Sequence, residues 1–508
     1  MRTRTQNAKI NIFVGFVSKA ILLVAAFTSR TVFIRLLGAE YVGISGLYSN
    51  ILGILNLADM GMLGVLSYEL YESLKYNDVK KIASLVDAFK RIYVIIIGGI
   101  LVVGLALVPF LHFIVNNSKL SNIDLILYYI LYLLDSVASY FFVYRTTVIS
   151  ADQKNYIINI VQMGAKFVMY IAQILFLIFT RNFLGYLIIQ IFFTFLSNTI
   201  LHIIATKLYP FLKDKHYVDK SLINYKEIFG NIKGTFLAKT ANTILSQTDN
   251  IIISVMFGTV FVGYYSNYNS LNVYICSIMS ILVTSITASV GNLIAEKNIQ
   301  KSYEMFKNFM FGFTLVTTFS ATCILCLIQD FIPIWIGKNY LMDFNLVLAI
   351  VFVFYQGNSS NVIEMYRSAM GIFKEVQYMY LVSAVINILL SVGLGKVLGI
   401  SGVIYATGVS RLLTTFWYDS GFVMKKMGKN NMSYFLLQGK HYLTSIVIMV
   451  VSYLLCSFIP CENLLWLFLK AFVCGCITIL FEFLVNIKTT ELTWFILQFK
   501  VRFFNTKR

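Results

Sequence analysis

Long apolar runs follow one another along the chain, separated by short polar segments; Tyr93 to Phe113 and Tyr442 to Ile459 are two of them. A helix needs about 20 mainly apolar residues to cross the hydrocarbon core of a bilayer. A barrel strand would instead alternate in polarity over about ten residues. Lipid offers no partner to an open backbone N–H or C=O, so only helices fit runs of this kind. The pattern predicts fourteen transmembrane helices, at 11–37, 43–71, 84–113, 123–149, 156–180, 183–206, 234–257, 261–292, 305–330, 344–368, 376–397, 400–424, 442–460 and 463–487. The expected fold class is an all-α polytopic membrane protein with no folded soluble domain between spans.

Composition agrees. The 508 residues are 58% hydrophobic and only 13% charged, and the mean hydropathy is +0.77. A soluble chain carries about 25% charged residues. Four prolines in this length exclude a linker-rich or disordered chain. The first apolar stretch runs to about Leu37, too long for the core of a cleavable signal peptide. Cys323 and Cys326 form a CxxC without a second ligand pair in sequence, which reads as packing, so no metal is expected.

Lysine and arginine placement orients the spans. With the N-terminus inside, 30 of the 41 basic residues fall on inner loops and tails, and seven lie within spans. Only Lys119, Arg181, Lys338 and Lys396 fall on outer loops. A wrong span count would scramble this alternation, so both termini are expected in the cytoplasm. The formal net charge of +18 then sits mostly against anionic lipid, and nucleic acid is not an expected partner.

The chain also repeats itself. At a shift of 220, Lys19 meets Lys239, Thr28 meets Thr248, Gly38 meets Gly258, Val42-Gly43 meets Val262-Gly263 and Tyr48 meets Tyr268. LLGAEYVG at 36–43 thereby aligns with MFGTVFVG at 256–263. At a shift of 222, Tyr144-Arg145 meets Tyr366-Arg367. The expected organisation is an N-terminal six-helix lobe (1–206), a basic cytoplasmic linker (207–233), a C-terminal six-helix lobe (234–424), and two extra transmembrane helices with a basic tail (425–508). Six spans per unit make the repeats parallel, and such halves usually enclose a substrate path.

Charges within the membrane face a cavity or a partner because lipid solvates them poorly. Lys19 and Arg30 are eleven residues apart, which on a helix returns to within about 20° of one face, roughly 16 Å along the axis. Lys239, Thr243, Ser246 and Asn250 form a corresponding polar stripe on the seventh span, with Asp249 at its margin. Arg35 lies near the outer edge of the first span, where anchoring is as good a reading as function; snorkelling is the alternative for Lys19 and Lys239. The tenth span holds the most polar run: Gln356, Asn358, Ser359, Ser360, Asn361, Glu364 and Arg367. Its uses are hydrogen bonding to sugar hydroxyls or adhesion between helices. Asp59 on the second span, and Arg411 with Asp419 on the twelfth, complete the candidates. Lys19, Arg30, Arg35, Lys239, Asn250 and Arg411 are the expected substrate-binding residues, and Asp59, Asp249, Glu364 and Asp419 the possible coupling or charge partners. An excess of cations in a mixed polar cavity suits an anionic substrate, and arginine favours phosphate through paired hydrogen bonds.

The six-plus-six repeat with a trailing pair, the stretch RLLGAEYVGISGLYSNILGILNLADMGM at 35–62 and TDNIIIS at 248–254 resemble the Wzx-type flippases, the polysaccharide transporter branch of the MOP exporter superfamily. The resemblance covers essentially the whole chain. It implies a MATE-like fold of two pseudo-symmetric lobes, with spans 1 and 7 lining an inward-open cleft. It implies transfer of undecaprenyl-diphosphate-linked oligosaccharide repeat units across the bacterial plasma membrane by alternating access. Related lipid II flippases use basic residues in a central cavity, a role carried here onto Lys19, Arg30 and Lys239. A glycan polymerase and a chain-length regulator are implied partners. O-antigen, capsule, exopolysaccharide and teichuronic acid pathways remain open.

Two other classes are weighed. A MATE-type exporter of cationic drugs would place acids in the cavity, and Asp59 and Asp249 keep that alternative open. A polytopic glycan polymerase would be an enzyme, but it usually needs a sizeable outer loop, and the longest here is about 331–343. No G-x-x-x-x-G-K-[ST] loop is present. The expectation is a transporter rather than an enzyme, without cofactor, coupled if at all to protons or sodium.

Overall fold

The computed structural model describes residues 4–56 and 62–504, with their side chains apart from those of 4–9, 12, 63, 64, 215, 227, 229–239, 241, 242, 285, 288 and 498–504. Asp59 and the side chain of Lys239 lie outside that description. The described residues form helices and short 3-10 turns, with no strand among them. Two compact units meet in sequence at Gly263 and Tyr264.

The first unit contains α1 (Arg4–Leu37), α2 (Ala39–Leu55), α3 (Met62–Lys75), α4 (Val79–Ala106), α5 (Leu111–Ile114), α6 (Asn122–Tyr140), α7 (Val143–Ala151), α8 (Asn155–Thr180), α9 (Phe183–Leu208) and α10 (Tyr225–Phe257). Helix α1 runs beside α8, α8 pairs with α9, and α9 packs on α6 and α7. Helix α2 lies against both α6 and α10. Buried aromatics such as Tyr48, Phe89, Tyr93 and Tyr129 fill the interior.

Helix α11 (Thr259–Ala295) crosses the division. The second unit continues with α12 (Ile299–Trp335), α13 (Phe344–Ser359), α14 (Asn361–Ala369), α15 (Gln377–Leu398), α16 (Ile400–Leu413), α17 (Thr415–Lys426), α18 (Asn431–Ser457), α19 (Leu464–Asn486) and α20 (Thr490–Phe504). Helix α12 is its spine and touches α13, α18, α19 and α20. Phe306, Met310, Tyr366, Met424 and Tyr434 form one buried cluster of this unit.

Eleven helices among the described residues are long and apolar enough to cross a membrane. The other three expected spans are helical but differ. Span 43–71 comprises α2 and α3, on either side of residues outside the description. Span 234–257 belongs to the longer α10, which starts inside the expected linker. Span 400–424 breaks into α16 and α17 at Thr414. Two further spans are broken: α6 from α7 at Phe142, which is left-handed at φ 67°, and α13 from α14 at Ser360. Beyond the last span, α20 occupies what reads as a basic tail. Phe495 packs edge-on against Phe311 with ring centroids 5.4 Å apart, and Lys307 pairs with Glu491 at 3.0 Å. At 15 residues α20 is too short to span.

The repeat is visible in local geometry. Gly38 and Gly258, 220 apart, both take positive φ (88° and 108°) where α1 turns into α2 and α10 into α11. Asn77 and Lys297, also 220 apart, are left-handed at φ 53° and 55°. The next residues cap helices identically: Asp78 accepts from Lys81 N–H and Asn298 from Lys301 N–H, each at 3.0 Å. Tyr48 and Tyr268 are both fully buried and anchor chain near the next broken span, Tyr48 donating to Leu125 O at 2.9 Å and Tyr268 accepting from Met342 N–H at 3.0 Å.

The segment between α9 and α10 is itself ordered by α4. Three 3-10 turns lie along that helix, and Asp219 N–H donates to Ser84 Oγ at 2.8 Å. Hydrogen bonds from Ser221 hold the Asp219 carboxyl below the usual carboxylate range.

A reciprocal close approach joins the two glycine turns inside the first unit. A Cβ on Gly43 would strike the carbonyl oxygen of Thr259, and a Cβ on Gly263 that of Ala39. Both pairs are related by the shift of 220. Gly98, by contrast, has open space around it. Gly43→Ala and Gly263→Ala are therefore expected to cost about 1–3 kcal/mol each through overpacking. Gly98→Ala should be neutral or stabilising by up to about 1 kcal/mol. Thermal unfolding midpoints of the purified variants in detergent distinguish these outcomes.

Candidate functional site

The broken helices concentrate the polar chemistry. A break inside a membrane frees carbonyls that must find partners. In the second unit the segment caps itself. Asn358 Nδ2 donates to Phe354 O at 2.9 Å, and Ser359 and Ser360 hydroxyls donate to Gln356 O at 2.9 and 3.2 Å. Asn361 Nδ2 donates to Asn358 Oδ1 at 3.3 Å. In the first unit the cap comes from α9, where buried Asn198 donates to the carbonyls of Ala138 and Ser139 at 3.0 Å each.

Arg411 lies over the α13 break. Its Nη1 is 3.1 Å from where a Cβ on Gly357 would stand, so the glycine lets the guanidinium approach the helix closely. Cys276 lies near the same guanidinium and contacts Asn358 Nδ2 at 3.6 Å. Gln356 is buried, and its Oε1 accepts no hydrogen bond among the described residues. Arg411 is half-buried and forms no ion pair among the described residues. The structure thus places Arg411 beside Gly357 and Cys276, with Asn358 in contact with Cys276 and Asn361 bonded to Asn358. Beside them an apolar cavity of about 520 Å³ opens between α13, α16 and α18, lined by Phe352, Leu412, Phe416, Tyr442 and Ile446. Ser359 Oγ and Tyr442 Oη, 3.1 Å apart, join the polar cluster to that cavity.

Asp419 and Glu364 lie elsewhere. Both contact Arg367, at 3.5 Å each, and Asp419 also accepts from Tyr380 Oη at 2.8 Å. The guanidinium stacks on the Tyr380 ring at 5.1 Å. Asp419 therefore serves Arg367 rather than its sequence neighbour Arg411, while Glu364 is largely exposed. Arg145, the repeat counterpart of Arg367, bonds instead to Thr206 Oγ1 at 2.9 Å and Leu212 O at 3.1 Å.

In the first unit Lys19 is exposed, Arg30 half-buried and Arg35 exposed. Their neighbours Ser18 and Ser29 are buried, so the cationic stripe lies about 100° round α1 from the serines. An apolar groove of about 520 Å³ runs between α1 and α8, lined by Ile21, Val24, Thr28, Phe167, Tyr170 and Ile174. Exposed Lys19 and Lys166 adjoin its lining residues in sequence. On α10, Thr243 and Asn250 are buried and Ser246 is exposed; Asn250 Oδ1 accepts no hydrogen bond among the described residues. Asp249 is partly buried.

Sequence reasoning passed over one pair. Asp135 on α6 accepts from Gln190 of α9 at 2.7 Å. At a shift of 221 these are the counterparts of Gln356 and Arg411. Asp135 stands out as an intramembrane acid, but its distant amide partner carries no signal. Outside the spans, Lys154 pairs with Asp152 at 2.7 Å; burial, and then the hydrogen bond to Asp152, hold the Tyr209 phenol well above its usual range.

No family model matches the sequence, and no curated protein matches it. The fold has solved counterparts. A structure titled lipid II flippase MurJ, inward closed conformation, superposes with a TM-score of 0.68 at 15% identity, over 93% of this chain and 98% of that one. An inward-facing multidrug resistance MATE family transporter of the MOP superfamily gives 0.64 at 12% identity, over 84% and 99%. The MATE multidrug transporter DinF-BH gives 0.55 at 16% identity, over 81% and 94%. The chain is a multi-pass helical protein with the MurJ and MATE fold.

The Arg367 cluster tests the burial energetics directly. Arg367→Ala leaves Asp419 buried and uncompensated and is expected to cost about 3–5 kcal/mol. Arg367→Ala combined with Asp419→Ala should recover a large part of that loss. Thermal unfolding of the single and double variants gives the coupling.

Proposed function

We propose that this chain is a flippase that carries an undecaprenyl-diphosphate-linked oligosaccharide repeat unit across the bacterial plasma membrane by alternating access. The observation that carries this reading is Arg411, a half-buried cation without an ion pair among the described residues, set over Gly357 among the amides of a broken helix. Buried arginines are normally matched by carboxylates, as Arg367 is by Asp419. An arginine left over amides is prepared for an anion from outside the chain, and amides suit sugar hydroxyls. The adjoining apolar cavity suits the lipid end of an amphipathic substrate. Lys19, Arg30, Arg35 and Lys239 extend the cationic character along the helices that open each repeat, and Asn250 adds an acceptor.

The fold supports the reading, since one of its solved counterparts is titled a lipid II flippase. Others are titled multidrug transporters; for a cationic drug, however, the excess of lysine and arginine in these helices is repulsive. Nothing covalent changes in flipping, so no catalytic group is required. Energy would come from a proton or sodium gradient, from membrane potential, or from consumption of the product outside. Both termini lie in the cytoplasm on this reading, and a polymerase and chain-length regulator act downstream.

Arg411→Ala removes a charge-assisted contact worth about 1.5–3 kcal/mol, so transfer should fall about 10- to 100-fold, and Arg411→Lys should restore only part because one ammonium does not replace a planar fork. The measurement is the proportion of lipid-linked glycan held in the inner leaflet against glycan at the surface. Normal surface glycan with Arg411→Ala and Arg30→Ala, both expressed at the usual level, would sink the proposal.

A further inference from the structure

Four of the seven cysteines converge inside the second unit. Cys323 and Cys326 stand one turn apart on α12, so both thiols face the same way. Cys456 comes from α18 and Cys474 from α19. Cys456 and Cys474 Sγ atoms are 3.7 Å apart. The sulfurs of Cys326, Cys456 and Cys474 all lie within 4.8 Å of one another, and Cys323 packs against the three. Every cysteine is a free thiol. The CxxC looked solitary in sequence; its second pair arrives from the two trailing helices.

We propose that these cysteines form a binding site for a thiophilic d10 cation, Zn(II) being the representative. Zn–S bonds of about 2.3 Å in a tetrahedron put sulfurs about 3.8 Å apart, and the Cys456–Cys474 separation already meets that value. Closing the remaining gaps among Cys326, Cys456 and Cys474 takes side-chain shifts of about 1 Å, within what a rotamer adjustment supplies. Cys326, Cys456 and Cys474 are the core ligands, and Cys323 closes the fourth position. Each thiol gives up its proton to solvent on binding, so uptake weakens as pH falls.

Two neighbouring features suit such an ion. The buried Lys470 ammonium lies one turn before Cys474 and adds a polar group beside the thiols. It pairs with Asp330 at 2.5 Å. A cavity of about 510 Å³, lined by Cys326, Asp330, Cys456, Cys461 and Lys470, gives the ion a polar approach. Bound there, the metal ties α18 and α19 to α12. The proposal is independent of the transport reading.

The full chain, purified in detergent under reductant, is loaded with Zn(II), freed of excess, and its zinc counted. One zinc per chain is expected, near zero in the Cys456→Ser/Cys474→Ser variant, and one again in Cys476→Ser. The unmutated chain supplies a second readout that no folding defect can blur: maleimide labelling read by mass spectrometry. Zinc should slow labelling of Cys326, Cys456 and Cys474 by about tenfold or more, as a bound ligand withholds the thiolate, and leave exposed Cys476 unchanged. Equal zinc in the unmutated chain and the Cys456→Ser/Cys474→Ser variant, or labelling indifferent to zinc, would overturn it.

Discussion

The rest of the structure depends on a solvent that cannot hydrogen-bond. In hydrocarbon a helix may stop only where something else takes up its carbonyls. The breaks at Phe142, Ser360 and Thr414 therefore locate polar side chains. Asn198 caps the first, the Asn358–Ser360 segment caps the second, and Thr414 Oγ1 donates to Ser410 O at 2.6 Å at the third. Each break is thus an island of amides and hydroxyls inside an apolar bundle. Discontinuous helices at corresponding places in two repeats are where transporters of duplicated fold build their sites, and here both the fourth and tenth spans are interrupted.

Charge obeys the same constraint more severely. Burying an ion costs several kcal/mol unless a partner and hydrogen bonds offset it. The second unit contains both solutions side by side. Arg367 has a carboxylate, a phenol hydrogen-bonded to that carboxylate and an aromatic face, an arrangement suited to holding α14, α15 and α17 together. Lys470 with Asp330 holds α19 to α12 in the same way. Arg411 has amides and a glycine. A self-contained pair stabilises a bundle, whereas a cation with only neutral neighbours is stabilised further by any anion that reaches it.

Much of the fold was legible because apolar run length is a direct consequence of the bilayer. The 220-residue repeat was legible from six identities, and the structure adds a capping residue, two left-handed positions and a reciprocal glycine contact at the same shift. What was hidden came from long-range pairing. Nothing local links Asp419 to Arg367, 52 residues apart, or Cys326 to Cys474, 148 apart. Helix α20 was hidden for another reason: its basic residues mask an apolar face that Phe311 and Gly312 receive.

Duplication gives two copies of one scaffold, and the side chains at equivalent places show how far each copy has been assigned its own chemistry. Where α6 carries Asp135 bonded to Gln190, the second repeat has Gln356 and Arg411. One copy holds an acid bonded to an amide through one oxygen only; the other holds a half-buried base without an ion pair among the described residues. The backbone geometry at the turns has stayed nearly the same, φ 53° against 55° before the caps, because any change there would unsettle a helix start. The side chains at the breaks have been free to diverge, since a break needs only some hydrogen-bonding group and not a particular charge.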